Sequence, residues 1–433
     1  MTAPPARKPG GWGAASGADG ARAVPPLAIL VALTAISPLA LNIFMPSLPG
    51  LDQVFATDAS TVQLTLSLFL IGFAGAQLAY GPFSDRFGRR PPMIVGMILF
   101  LTGTGLCMLA WSIQVLILGR IIQAIGGCCG IVLSRAIVRD VYDRDEAAGR
   151  IAYIIMAMVV APMIGPMAGG FLDDLFGWRA GFALTFIAGV VVFVFAVRLL
   201  VETKHDRVPL PDLPSLIATY GSLLRRPAFL GYTAHVAFTS GGFFAFLGAG
   251  PLIVVDLWGY SRTAYGLFFA ITATGYMTGN YLASRFSQRL GIERMMMLGG
   301  TVTLSGASLM LVLLLSGYET WAAVFLPMTV HALGNGMCMP NGMAGAVSVD
   351  PWRAGTASGV SGFFQMAFGA ATSTLVGTLV TDHAWPMAAV ITCTGSLSAF
   401  TAWLMLRHAS AGADDEVLVN RPEPAEQTDG FVP

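Results

Sequence analysis

GPFSDRFGRRP, residues 81–91, places one acid and three arginines among glycines and prolines in a chain of 433 residues, of which only 11% are charged. A water-soluble protein of this length needs a far larger charged surface, and a hydrophobic content of 55% exceeds what a soluble domain carries. The stretch therefore reads as a wet loop between segments that are not in water. Residues 61–81 before it and 92–111 after it are both apolar. A run of about 20 residues, rising 1.5 Å per residue, reaches across a hydrocarbon core of about 30 Å.

Working outward, comparable runs occupy 27–47, 113–136, 151–172, 179–200, 229–254, 263–284, 295–316, 321–346, 355–380 and 385–406, which gives twelve expected spans. They are continuous and do not alternate with polar residues. That favours helices over barrel strands, because in lipid each backbone group must be paired internally. The expected fold class is an all-α membrane protein. Of the 24 Lys and Arg residues, Arg179 and Arg262 fall in loops on one side and Arg120 inside a span, which leaves 21 on the other side or in the tails. The positive-inside rule then puts both termini in the cytoplasm.

The connection ETKHDRVPLPDLPSLIATYGSLLRRP, Glu202 to Pro227, divides the spans six and six, and DLPSLIATYGSLL within it is expected to form a short surface helix. The expected units are a disordered tail 1–25, a first six-helix unit 26–200, a cytoplasmic linker 201–228, a second six-helix unit 229–406 and a disordered tail 407–433. An internal echo supports this division: GPFSDRFGRR follows the second span and ASRFSQRLGIER follows the eighth, each with Arg-Phe, then Gly, then further basic groups.

Balanced charge gives no reason to expect a nucleic-acid partner. Cys107, Cys128, Cys129, Cys338 and Cys393 lie in apolar stretches without CxxC spacing, so they read as small buried thiols and not as a metal centre. No GxxxxGK[ST] loop is present to cradle ATP, and no nucleophile and base share a motif. An enzyme is therefore not expected.

GPFSDRFGRRP, together with ILGRIIQAIGG (117–127), APMIGPMAGG (161–170) and SRAIVRDVYDRDEA, resembles the major facilitator superfamily over residues 27–406. Within it the chain is similar to drug:proton antiporters of the Bcr/CflA type, which include chloramphenicol, florfenicol and bicyclomycin exporters. The resemblance implies two pseudo-symmetric six-helix bundles in a bacterial inner membrane that export drugs by alternating access, with the proton gradient as energy source and no cofactor. Export of an endogenous metabolite by the same fold is the alternative. The partners it implies are small amphiphilic molecules, protons and the lipid bilayer, and a functional monomer is expected.

The resemblance makes the charged loop a cytoplasmic lock between the bundles. Its gating residues are Gly81, Asp85, Arg86, Gly88, Arg89 and Arg90. Asp85 is expected to cap a helix across the interface while pairing with an arginine, because an acid adds nothing to positive-inside bias. Gly81 and Gly88 are expected to form turns. In the fifth span Pro162, Gly165, Pro166 and Gly169 are expected to bend the helix and pack it against the second bundle.

Inside the spans an unpaired Arg120 would be costly, so it must face protein or water, with Gln123 beside it at i+3. Asn42 stands where the family often has Asp, and an amide binds ligands but carries no proton at physiological pH. No Asp or Glu lies securely within a span interior, which points to neutral or zwitterionic cargo. His331, His235 and Asp140 are the candidates for the proton. Asn335 and Asn341 beside Pro340 are expected to interrupt the tenth span, and Pro38 and Pro46 the first. Met45 and Phe238 are expected to line the cavity, as are Phe44, Phe243, Phe244, Phe363, Phe364 and Met366.

Overall fold

The computed structural model describes residues 25–142, 150, 154, 163–204, 212–350 and 353–419, without the side chains of 213 and 408–419. Among these residues the chain is helical and contains no strand. The first half comprises α1 (Leu27–Phe44), α2 (Leu51–Phe55), α3 (Ala59–Phe87), α4 (Arg90–Met108), α5 (Ile113–Val141), α6 (163–176) and α7 (Arg179–Leu199). After α8 (Leu213–Leu224), the second half comprises α9 (Pro227–Leu252), α10 (Arg262–Leu290), α11 (Ile292–Leu315), α12 (Trp321–Ser348), α13 (Ala354–Leu379) and α14 (Trp385–Val419).

Nine of the described helices are long and apolar enough to cross a membrane: α1 with its following turn, α3, α4, α5, α7, α9 with its following turn, α11, α12 and α14. Helices α10 and α13, of 29 and 26 residues, match them in length. They carry Thr, Ser, Tyr and Gly along much of their length and fall outside that apolar set. The architecture is an all-α, multi-spanning membrane fold.

Several helices outrun the apolar stretches that announce them. α3 continues to Phe87, α5 to Val141 and α10 to Leu290, because hydropathy marks only the part that meets lipid. Gly81 therefore lies inside α3 with open space where a Cβ would stand, and it is not a turn. The turn falls at Gly88, with φ +92°. Pro38 is accommodated inside α1, and only at Met45–Ser47 does the chain tighten into a 3₁₀ turn. Pro327 and Pro340 are carried inside an unbroken α12, so Asn335 and Asn341 interrupt nothing. α14 extends to Val419, past the expected end of the last span at residue 406. The expected tails 1–24 and 420–433, and the middle of the linker at 205–211, lie outside the described residues. Four cysteines are buried as expected, whereas Cys393 is exposed.

The same helix crossings occur at matching places in the two halves. A Cβ on Gly103 (α4) would meet the backbone amide of Gln123 (α5), and one on Gly306 (α11) would meet that of His331 (α12). Gly126 approaches the Gly96 carbonyl as Gly334 approaches that of Gly299. Gly72 faces the Ile121 carbonyl as Gly275 faces that of Thr329. At Gly103, Gly126, Gly275, Gly306 and Gly334 an added methyl would lie too close to the crossing helix, so their closeness requires glycine, whereas at Gly72 it would meet the Ile121 carbonyl at 3.4 Å. The echo seen in two loops thus extends through three helix pairs, and it sets His331 in the place of Gln123.

Apolar packing differs between the two ends of the molecule. At the end remote from Arg89 one continuous core joins both halves, with Leu41, Met45, Leu48 and Leu51 packed with Phe246, Leu247, Ile253 and Val254. At the Arg89 end it divides. Ile29, Met93, Ile137 and Leu200 form a first-half cluster, while Leu223, Phe229, Ala346 and Val360 form another in the second, which Leu78 of α3 joins at its edge. Among the described residues the halves share one apolar core at the first end, while towards the Arg89 end they meet along α3 and α13, where Gln77 lies against Gly359 and Gly362, and the clusters of the two halves are distinct.

Candidate functional site

The arginine loop is a network of hydrogen bonds and ion pairs within the first half. The buried Arg89 donates through Nη1 to Asp85 at 2.8 Å and to Ser84 at 2.6 Å, and through Nε to Asp140 at 2.7 Å. Burial alone would lower its pKa, but Asp140 and Asp85 hold it above the ordinary guanidinium value. Asp85 is half exposed, and its ion partner is Arg89. The expected cap on a helix of the other half is not among its described contacts. Asp140, expected beside Arg135 and Arg139 as a proton carrier, is instead the partner of Arg89. Arg86 is exposed, and so is Arg90, whose Nη2 donates to the Val197 carbonyl at 2.9 Å.

Sequence reasoning missed Glu202. Its carboxylate accepts from the backbone amides of Arg89 at 2.7 Å and Arg90 at 3.1 Å, and so caps α4, and it also accepts from Thr203 and Lys204. The Glu202 carboxylate fills the place a Gly88 side chain would need, so Gly88 is required for space as well as for its φ. The signal was present: Glu202, like Asp85, is an acid on the basic side, where it contributes nothing to topology. Glu202→Ala should cost about 1–2 kcal/mol, the worth of a charged cap at a helix N-terminus. The thermal midpoint in detergent should fall by a few degrees, and an unchanged midpoint would show the cap to be incidental.

Arg120 is fully buried on α5 and gathers three helices. Its guanidinium donates to the Ala40 carbonyl of α1 at 3.2 Å, the Thr65 carbonyl of α3 at 3.4 Å and Gln123 Oε1 at 2.6 Å. It lies over the rings of Phe69 at 4.1 Å and Phe44 at 4.8 Å. Gln123 passes the chain on to Thr104 Oγ1 of α4 at 2.9 Å. Phe44 and Met45 are therefore buried packing groups here, with Met45 in the sealed core.

The second half holds its own buried polar group. His331 Nδ1 lies 3.2 Å from the Thr303 carbonyl of α11, and its Nε2 faces Gly242 of α9 without a partner. His235 Nδ1 lies 3.0 Å from the Ser398 carbonyl of α14, and its Nε2 is likewise unpartnered. Asn335 donates to the Thr239 carbonyl of α9 at 3.1 Å, and Thr239 shares a 2.7 Å hydrogen bond with Ser398. Asn341 instead donates to Met337 one turn back on its own helix, and Phe238 packs edge-on against Phe368 of α13. Asn42 is buried, donates to the Pro38 carbonyl at 2.8 Å and leaves Oδ1 without a partner.

Pro162 lies outside the described residues. Gly165 and Gly169 of α6 press against Asn42 and the Ile43 carbonyl of α1, so this glycine face packs within the first half and not on the second as expected. Contact with the second half comes one position later and on the neighbouring face. Gly170 meets the Arg262 carbonyl, and the Pro166 carbonyl and Met167 meet Gly266 of α10. Among the described residues no group of three or more His, Cys, Asp or Glu could hold a metal ion.

Apolar helices joined by buried polar centres and sealed at one end define a multi-pass membrane transporter. Residues 30–374 and 237–428 match the Major Facilitator Superfamily, and the chain belongs to it. An uncharacterized MFS-type transporter, YdgK, of Bacillus subtilis (strain 168) is 31% identical over 86% of this chain and 94% of its own. A bicyclomycin resistance protein homolog of Haemophilus influenzae is 30% identical over 82% and 89%. Among solved structures, the partially occluded inward-open xylose transporter XylE of E. coli shares the fold, with a TM-score of 0.70 and 14% identity over 87% of this chain and 96% of its own.

Proposed function

We propose that this chain is a proton-coupled exporter of neutral or zwitterionic amphiphiles, amphenicols among them. It works by alternating access of two six-helix bundles, 26–200 and 229–406, joined by the linker 201–228. The observation that carries the reading is the core continuous across the halves at one end and divided at the other. Such a molecule is closed towards one side of the membrane. With both termini cytoplasmic in a bacterial inner membrane, as the arginine distribution favours, the sealed end faces outward. Among the described residues Asp85 pairs with Arg89 and not across the interface, which is what a released cytoplasmic lock would leave. A monomer suffices for the cycle.

The cargo class follows from where the acids lie. Of the acids described on the helices, Asp85 and Asp140 serve the arginine loop, Glu293 accepts from Tyr232, and Asp52, Asp173, Asp174 and Asp256 lie at the sealed end around Arg262 and Thr263. None stands beside Arg120, whose buried positive charge disfavours a cationic cargo. The Haemophilus relative's name supports a drug cargo. Cells expressing the protein should accumulate several-fold less labelled florfenicol than cells expressing Arg120→Ala, and a protonophore should erase the difference. Equal accumulation in the two would reject this cargo.

Of the groups considered for the proton, Asp140 is committed to Arg89 and Asn42 cannot exchange one. His331 is favoured over His235 because it occupies the place that Gln123 holds beside Arg120 in the other half. His331→Gln should therefore flatten the pH dependence of transport, because glutamine keeps a polar group in that place but cannot take up a proton. His235→Gln should leave that dependence in place. A full pH response in the His331 variant would exclude it as the carrier.

A further inference from the structure

At the sealed end the two halves meet through charge as well as apolar packing. Asp173, on α6 beyond the expected span 151–172, is more than nine-tenths buried, with Oδ2 lying 3.5 Å from Arg262 Nε of α10. That is an ion contact too loose for a hydrogen bond, and Oδ2 accepts none. Ser47, in the turn after α1, lies near the carboxylate and favours its charged form. Arg262 also donates through Nη2 to the Pro49 carbonyl at 3.0 Å. The neighbouring Asp174 accepts from the amide of Thr263 at 2.9 Å and from its hydroxyl, capping the start of α10. Asp256 is a further acid near Arg262, with Asp52 close to Asp256.

We propose that Asp173 is a proton-uptake site at the outer seam, and that a proton taken there from the outer side lets α6 and α10 close against each other. The proposal rests on the alternating-access reading given above. A buried carboxylate with an oxygen that no hydrogen bond satisfies makes the closed state costly, and protonation removes that cost. Arg262 does not then become an isolated charge, because it keeps the Pro49 carbonyl, the neighbouring acids and partial exposure to water.

The sign follows from linkage. In the closed state burial raises the Asp173 pKa, and the adjacent Asp174 adds to this, against the lowering by Ser47 and Arg262. When the seam opens, water restores the ordinary carboxylate value. The closed state therefore binds the proton more tightly, and acid on the outer side favours closure. In an antiporter this is the return step, in which an empty carrier closes its outer side only after accepting a proton. Asp173 then acts at the seam, apart from whatever group carries the proton through the membrane.

The test is a distance measurement by double electron–electron resonance on the full chain in nanodiscs. Spin labels go at V54C and Y260C, both exposed and on opposite sides of the seam, with Cys393 replaced by Ser. In the wild type the short-distance population should grow as pH falls from about 8 to about 4, into the ordinary carboxylate range, by up to about tenfold in the closed-to-open ratio for each unit by which burial raises the pKa. Asp173→Asn should be closed at both pH values, and Arg262→Gln should move the midpoint to higher pH. A wild-type distribution that ignores pH would overturn the proposal even if the variants failed to insert. So would an Asp173→Asn variant that titrates like the wild type. Because no cargo is present, pH-driven closure without drug transport would reject the cargo reading alone.

Discussion

Arg120→Lys is expected to lower transport by about 10- to 100-fold with the protein still inserted and monodisperse, because it loses charged hydrogen bonds worth about 1.5–3 kcal/mol each. Lysine keeps the charge but is a point donor on a flexible stem. It cannot reach the Ala40 carbonyl, the Thr65 carbonyl and Gln123 in one planar arrangement as the guanidinium does. Nor can it lie flat between Phe44 and Phe69. Arg120→Ala should be worse, since it also empties a fully buried site among α1, α3 and α5. The measurement is initial drug flux per inserted molecule, with the thermal midpoint recorded in parallel. A lysine variant with wild-type flux would show that only charge matters, and the three-helix role assigned to Arg120 would fall.

The second large effect concerns packing. Gly126→Ala and Gly334→Ala should each destabilise the protein by about 1–3 kcal/mol or more, the usual cost of overpacking a close contact. A methyl group at either place would press on backbone atoms of the crossing helix, the Gly96 carbonyl and Phe100 amide or the Gly299 carbonyl and Thr303 amide. Backbone in a helix cannot swing aside as the end of a side chain can. Gly81→Ala is the control, because its Cβ meets nothing within 4 Å and alanine is the better helix former. Thermal midpoints in detergent should fall for the first two and hold or rise for the third. Equal behaviour of all three would contradict the packing assigned to these crossings.

Much of the fold was legible because hydropathy reports contact with lipid, and the apolar runs announce where most helices lie. Their ends were not, since α3, α5 and α10 run on in polar sequence that hydropathy scores as loop. Proline was read too strictly: Pro38 and Pro340 are both held inside continuous helices. Arg120 with Gln123 was legible from local spacing alone. The pairing of Asp140 with Arg89 was not legible, because the two lie far apart in sequence and nothing local points from one to the other. Glu202 and the pair Asp173 with Arg262 were missed for the same reason, as each draws its meaning from a distant helix end. The correspondence of Gln123 with His331 was hidden by unlike side chains, and it emerges only from the glycines that seat against their backbones.

The most direct test of the whole account is flux in proteoliposomes of uniform orientation with an imposed inside-acidic gradient, following lumenal pH and labelled florfenicol together. The account predicts that florfenicol accumulates in the lumen while cargo-dependent proton efflux makes it less acidic, and that Arg120→Ala does neither. Florfenicol that equilibrates without moving protons, or a lumenal pH indifferent to cargo, would contradict proton-coupled export.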